Sequence, residues 1–283
     1  VLTKVTAYSQ WPSVDPLVLN VINRPETDLF EVRNIDGLGP VKADINTTKK
    51  VTPGSSYAGS NVGERNIVMT LGLTPNWDEW TVSKLRRHLD KYFMPQQSIR
   101  LVLETMEYDP VEISGWVEAN DPNMFSKDPE HQISIICPDL YFKSSDPVVI
   151  NGDSTMISWP IEYQGNVEGG IYVRASKALG GSPNPGFITF QVNEATQYPY
   201  VKAFGSPVID TSKDVFLNTF PGDKYIQSIP NTGGVVVPTN LLNDAEIGFR
   251  WPMIGPGTES FEVRTDAGIV NWTLQYYNLF GSL

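Results

Sequence analysis

One cysteine, Cys137, and two histidines, His88 and His131, are all the thiol and imidazole in this 283-residue chain. A single thiol excludes an internal disulfide and leaves no multi-cysteine or His/Cys zinc site to build. Basic residues are also short, with 21 Lys and Arg against 32 Asp and Glu, a net charge of −11. Through residue 145 there are 14 basic and 19 acidic residues, and beyond it 7 and 13, so the average hides no basic tail. Tight unaided binding to nucleic acid or to an anionic membrane is therefore disfavoured. Long apolar runs are missing too. The longest, such as Ile67–Met69 and Val235–Val237, are strand-sized, far below the ~18 residues a membrane-crossing helix needs. No membrane insertion is expected. Val1-Leu2-Thr3-Lys4-Val5 lacks a charged-then-apolar signal pattern, so secretion is not expected, and the sequons at Asn46 and Asn271 read as chance.

Catalytic motifs are equally scarce. Neither a Gly-x-Ser-x-Gly elbow nor a Gly-x4-Gly-Lys-Ser/Thr phosphate loop occurs. Paired carboxylates are the one remaining option, with Glu104, Glu107, Glu112 and Glu118 on neighbouring predicted strands. Glu112 and Glu118 fall on the polar face of an alternating strand, where solvated residues are expected. Asp121-Pro122-Asn123 and Asp128-Pro129 lack the Gly and terminal Glu of a calcium loop and read as turns. Cys137 ends the alternation Ile133-Ser134-Ile135-Ile136-Cys137 on its apolar face, the place of a buried core thiol. His88 reads as a helix-flank residue. The expectation is no enzyme, no catalytic residue, no metal ligand and no cofactor.

What the chain does have is strand alternation punctuated by turn residues. Its clearest helix is predicted over Asp78–Phe93, with Asn76 as cap, Glu79 three residues later, and Val82, Leu85, Leu89 and Phe93 on one face. Ile67–Leu71, Ser98–Glu104, Val111–Glu118 and Gln132–Cys137 read as strands around it. The Thr/Ser/Gly/Lys-rich stretch 46–64 is too polar for a core element and reads as a long mobile hairpin loop, of the kind that serves function or an interface. Within it Thr47, Lys49, Lys50, Ser55, Tyr57 and Asn61 are the candidate oligomer-interface residues. The pattern breaks at Cys137–Pro147, which places domains at 1–145 and 146–283. Beyond it Gly170–Arg174, Phe187–Val192, Ile247–Trp251, Phe261–Arg264 and Val270–Tyr276 alternate between Gly- and Asn-rich turns, as in an antiparallel β-sandwich. Trp159, Tyr163 and Trp251 could offer flat platforms to a sugar, although core packing explains aromatics on inward strand faces as well, and Trp272 is in register with Val270 and Leu274.

Taken in order, several segments resemble the distal tail proteins of long-tailed bacteriophages, the siphophage tail-component family. They are Ile35-Asp36-Gly37-Leu38-Gly39, the polar loop, Gly63–Leu71, the helix Trp80–Phe93 with Pro95, Ile99–Leu103, Ile113–Glu118, Phe125-Ser126 and Ile133–Phe142. At the far end, Gly255–Phe261 and Trp272–Leu283 resemble the family's last two strands, with Pro-Gly-Thr where Pro-Gly-Asn is usual. The resemblance spans nearly the whole chain. It implies a mainly β protein: a tail-tube-like split barrel with one helix, followed by a galectin-like sandwich. It implies further a virion protein of the tail tip, six copies of which form a ring. That ring would join the tail tube protein to tip and receptor-binding proteins and let DNA pass without specific binding. A carbohydrate-binding protein that mediates host attachment through the sandwich is the alternative. A lumen that releases DNA is expected to be neutral or acidic, with Lys49 and Lys50 turned toward a neighbouring subunit or ring.

Overall fold

The structure is a computed structural model, and it describes all residues except 23–26, 51, 77, 124–127, 157, 179–182, 184, 186, 195–196, 201–203, 206–212, 231–236 and 243–249. The chain forms two compact units, Val1–Ser145 with Phe280–Leu283, and Asp146–Leu279. The last four residues, which the sequence assigns to the second domain, thus lie with the first.

In the first unit the strands are β1 (Leu2–Ser9), β2 (Leu17–Asn20), β3 (Phe30–Asp36), β4 (Ala43–Lys49), β5 (Ser55–Val62), β6 (Arg65–Leu73), β7 (Ser98–Thr105), β8 (Val111–Pro122), β9 (Glu130–Cys137) and β10 (Phe142–Ser144). Seven of them run in the order β2-β1-β7-β8-β9-β6-β3 through antiparallel neighbours and curl into a nearly closed barrel. Period-two alternation puts Val5 and Ala7, Ile67, Met69 and Leu71, Ile99, Leu101 and Leu103, Ile133, Ile135 and Cys137 inside. Cys137 is fully buried, and burial pushes its thiol up to about 12, which makes it inert. Gly115 has no alternative at its position, because a Cβ there would lie 2.6 Å from Ile136 O and 2.8 Å from Cys137 Sγ.

The one α-helix among the described residues, α1 (Val82–Phe93), packs Leu85, Leu89, Tyr92 and Phe93 onto this core. It starts four residues later than the sequence predicts. Thr81, whose hydroxyl accepts from Lys84 N at 3.4 Å, is the cap. Asn76 instead organises a separate turn: its side chain accepts from Asp78 N at 3.3 Å, and its carbonyl takes the amides of Glu79 and Trp80. That turn lays Trp80 edge-on against His88 at 5.4 Å, a ring packing that a continuous helix from Asp78 would forgo. The Asp121-Pro122 pair is also corrected, since β8 runs on to Pro122.

The second unit comprises β11 (Val148–Asp153), β12 (Ser158–Pro160), β13 (Gly169–Lys177), β14 (Phe187–Glu194), β15 (Gln197–Tyr200), β16 (Phe204–Gly205), β17 (Lys213–Asn218), β18 (Tyr225–Pro230), β19 (Thr239–Asn240), β20 (Met253–Ile254), β21 (Thr258–Thr265) and β22 (Val270–Tyr276). One sheet runs β11-β22-β13-β17-β18-β19, with β20 also on β13; the other runs β12-β21-β14-β15, with β16 also on β14. Their inner faces share one core, in which Phe261 of one sheet meets Trp272 of the other edge-to-face at 5.4 Å. Of the predicted strand Ile247–Trp251, residues 247–249 lie outside the described residues, and Arg250 and Trp251 are not in a strand. A last short strand, β23 (Leu279–Phe280), pairs with β10.

Two predictions follow from the first core. Leu85→Ala and Leu89→Ala remove side chains with no solvent exposure, and each is expected to cost about 2–5 kcal/mol through lost burial and a residual cavity, read as a lower urea midpoint. His131 is also buried, with Nδ1 2.8 Å from Asn120 Oδ1, while the Asn120 amide donates to Asp90 at 3.2 Å. Burial, then the neighbouring Arg86, holds its pKa below the ordinary 6.5, with Asp90 pulling the other way. As pH falls through that ordinary value the unfolded chain takes the proton before the folded one, so stability is present above it and lost below. Melting temperature is therefore expected to fall from about pH 7 to about pH 5 more steeply in the native protein than in His131→Gln.

Candidate oligomer interface

The stretch 46–64, expected to be a mobile loop, is a regular β-ribbon. β4 and β5 pair with each other and with no other strand among the described residues, and only 50–54 connect them. Gly54 and Gly59 take φ of +118° and +135°, which lets the connection and the bulge opposite Asn46 form without strain. Every residue of β4 is exposed. A two-stranded ribbon without a core beneath it is marginal in water on its own. Such a ribbon gains stability where a surface covers one of its sides.

Register shows which side. Ala43 pairs with Val62, Ile45 with Ser60 and, past the bulge, Thr47 with Tyr57 and Lys49 with Ser55, so these share one face. The Tyr57 hydroxyl donates to Ser60 Oγ at 2.8 Å, which keeps the ring on that face. Asn61, paired with Asp44, is on the opposite, polar face, and Lys50 lies in the connection. Of the sequence candidates, then, Thr47, Lys49, Ser55 and Tyr57 come together and Asn61 does not. Ile45, at 65% exposure beside Tyr57 at 69%, is the residue the sequence reading missed. The alternation Ala43-x-Ile45-x-Thr47 was the signal, obscured by the surrounding Thr, Ser and Lys.

The ribbon is rooted by Arg65, the first residue of β6. Its guanidinium is buried, and Nε donates to Leu140 O at 2.8 Å, Nη1 to Gly37 O at 2.5 Å and Gly39 O at 2.8 Å, and Nη2 to Gly281 O at 2.7 Å. The Phe142 ring lies beneath it, 4.5 Å from Cζ to the centroid. Burial lowers its pKa from the usual arginine value. Gly37 at φ +88° passes so close to β6 that a Cβ would stand 2.0 Å from Asn66 O. Two carbonyls of the outgoing chain and one of the C-terminal segment are thus gathered at one cation. Arg65→Met leaves four carbonyls without their donor and is expected to cost about 2–4 kcal/mol, with Arg65→Lys recovering little because an ammonium cannot span the fork; urea unfolding of both variants checks this.

The other sequence candidates take structural places. Glu112, expected to be solvated, is only 7% exposed, because Arg100 at 2.8 Å and Lys143 at 3.2 Å close over its carboxylate. Glu104 pairs with Lys4 at 2.5 Å, and Glu118 accepts from Ser134 Oγ at 2.7 Å. An open depression of about 310 Å³ on the first unit is lined by Tyr8, Ser9, Gln10, Ser98, Arg100 and Ser114, with the Arg100 guanidinium laid over the Tyr8 ring at 4.2 Å. Trp159, Tyr163 and Trp251 are half-buried against the second core. Trp159 stands edge-on to Trp272 at 5.4 Å, and the Tyr163 hydroxyl bonds Val167 O and accepts from Leu279 N.

No protein-family model matches the chain, and no curated protein matches it by sequence. Among solved structures it is similar to the crystal structure of the Dit protein (gp 19.1) of phage SPP1, described as a paradigm of the hub adsorption apparatus in phages that infect Gram-positive bacteria. The two are 11% identical with a TM-score of 0.60, over 96% of this chain and 98% of that one. A chain of the phage p2 baseplate in its activated conformation with Sr is 10% identical, with a TM-score of 0.46, over 96% and 97%. The first likeness shows that this chain and the SPP1 Dit protein share a fold from end to end.

Proposed function

We propose that the chain is a distal tail protein of a long-tailed bacteriophage, a structural protein of the virion's tail tip. Six copies form a ring that joins the tail tube to tip and receptor-binding proteins, and DNA passes through the lumen without being held. The observation that carries this reading is the fold shared with SPP1 Dit over 96% of the chain, barrel unit and sandwich unit included. The ribbon supports it independently: an exposed apolar face on an unsupported hairpin reaches outward, and a protrusion that docks on a different surface of an identical neighbour is a heterologous contact of the kind that closes rings. The net charge of −11 supports a lumen that repels DNA, and Lys49 and Lys50, at the outer end of the ribbon, can then face a neighbour.

The test is mass in solution. A hexamer of 31.5-kDa chains, about 190 kDa by six-fold closure, is expected by light scattering at micromolar concentration. Ile45→Asp with Tyr57→Asp is expected to shift it toward monomer while leaving the melting temperature nearly unchanged, since neither residue is in the core. A native protein that stays monomeric would sink the ring reading.

A further inference from the structure

The ribbon supplies reach, but copies of a chain with net charge −11 repel one another, so their contact needs surfaces of opposite sign. We infer that the acidic turn 105–109 of one copy docks on the basic outer face of α1 in the next, a contact that rests on the ring reading and adds to it.

Helix α1 is the basic exception in an acidic chain. Lys84, Arg87 and Lys91 are exposed and spaced three and four residues apart, so they form one stripe. No carboxylate lies within ion-pair distance of any of the three among the described residues, and Asp90, the helix's own acid, is turned aside to Asn120. The stripe ends on an apolar patch. Met94 is 46% exposed, and Trp11, 53% exposed, is held beside the last turn because Ser9 Oγ donates to Lys91 O at 3.3 Å and accepts the Trp11 amide at 3.3 Å.

The complementary surface joins β7 to β8. Met106 and Tyr108 are exposed at its tip, alternating with the exposed Glu107 and Asp109. The turn is rigid, since Thr105 Oγ1 accepts from Tyr108 N at 3.1 Å and donates to Tyr108 O at 3.3 Å, and the Tyr108 ring rests 6.3 Å from that of Phe280. A pre-ordered aromatic with an acid on either side is the kind of anchor that loses little entropy on docking. β7 spans Ser98–Thr105 between the two surfaces, roughly 26 Å of extended strand. Met94 precedes one end of that strand and the acidic turn follows the other. Within its own copy Glu107 has the exposed Val1 ammonium at 3.8 Å, a long surface pair worth little, and the basic stripe of another copy offers the turn a stronger partner. Acid meets base and Met106 and Tyr108 meet Met94 and Trp11.

Charge reversal tests this. Lys84→Glu with Arg87→Glu and Lys91→Glu, and separately Glu107→Lys with Asp109→Lys, are each expected to weaken assembly about tenfold or more by sedimentation, with circular dichroism unchanged because all five residues are exposed. The chain carrying both sets is expected to assemble again, as is an equimolar mixture of the two reversed proteins. Reversals without effect on mass would overturn the docking, and so would reversals that weaken assembly without mutual rescue. Loss of assembly in the ribbon variant but not in the helix and turn variants would refute this contact and leave the ring standing; a monomeric native protein would remove both. A helix reversal that abolishes duplex DNA binding and leaves the mass unchanged would assign the stripe to nucleic acid instead.

Discussion

The first unit turns on one buried cation that no carboxylate answers among the described residues. Arg65 is 2% exposed and spends four of its five donors on backbone carbonyls from three separate stretches, 37–39, 140 and 281. A buried charge is costly unless its whole solvation shell is replaced. Here oxygen dipoles and the Phe142 ring replace it, and the shell is also a set of positional constraints. Gly37 and Gly39 fix where the chain leaves the barrel for the ribbon, Leu140 fixes the stretch between β9 and β10, and Gly281 ties the C-terminal segment to the same point, reinforced by Leu283 N on Leu38 O at 3.1 Å.

That root explains how a hairpin with no core can still hold a direction. The ribbon's own pairing is marginal, but its two ends leave β3 and β6, which are bonded to each other from Phe30–Leu73 to Asp36–Val68. Fixed at the base and free along its length, the ribbon presents Ile45, Val62 and Tyr57 as a side that water solvates poorly. An interface built on such an element gains specificity from the root and affinity from the face. Under the proposed ring, changes at the two places accordingly separate into loss of stability and loss of assembly.

Much of this was legible in the residues. Strand alternation marked β6 through β9 and β22, and the spacing Leu85, Leu89, Phe93 marked the helix face, because burial imposes those periods. The helix start was not legible. Asn76 and Glu79 satisfy a capping pattern equally well in a turn, and the choice depends on Trp80 meeting His88, a contact made only in the folded chain. Glu112 defeated the alternation argument in the same way: it points outward, as predicted, yet Lys143 from β10, 31 residues away, covers it. The ribbon was read as a loop because composition reports the absence of a core, and a strand pair without a core has the composition of a loop. Arg65 stood in view as one charged residue among many, and nothing local distinguishes an arginine that gathers four distant carbonyls.

Charge ties these features to assembly. Six copies at −11 each would carry −66, and at physiological salt, with a Debye length of about 8 Å, repulsion between neighbouring copies is felt mainly where their surfaces approach. A ring can tolerate that total only if the approaching surfaces are the exceptions to it. Five exposed cations of the first unit are arranged in that way: Lys49 and Lys50 at the outer end of the ribbon, Lys84, Arg87 and Lys91 along the helix. Both groups sit on elements that lie outside the barrel sheet, while cations on the sheet itself, such as Lys4, Arg100 and Lys143, are matched by Glu104 and Glu112. These sheet cations are thus locally neutralised, while those at the ribbon's outer end and along the helix have no carboxylate at ion-pair distance among the described residues. Under the proposed ring, such a distribution favours contact through helix and ribbon, and the remaining acidic surface would repel DNA.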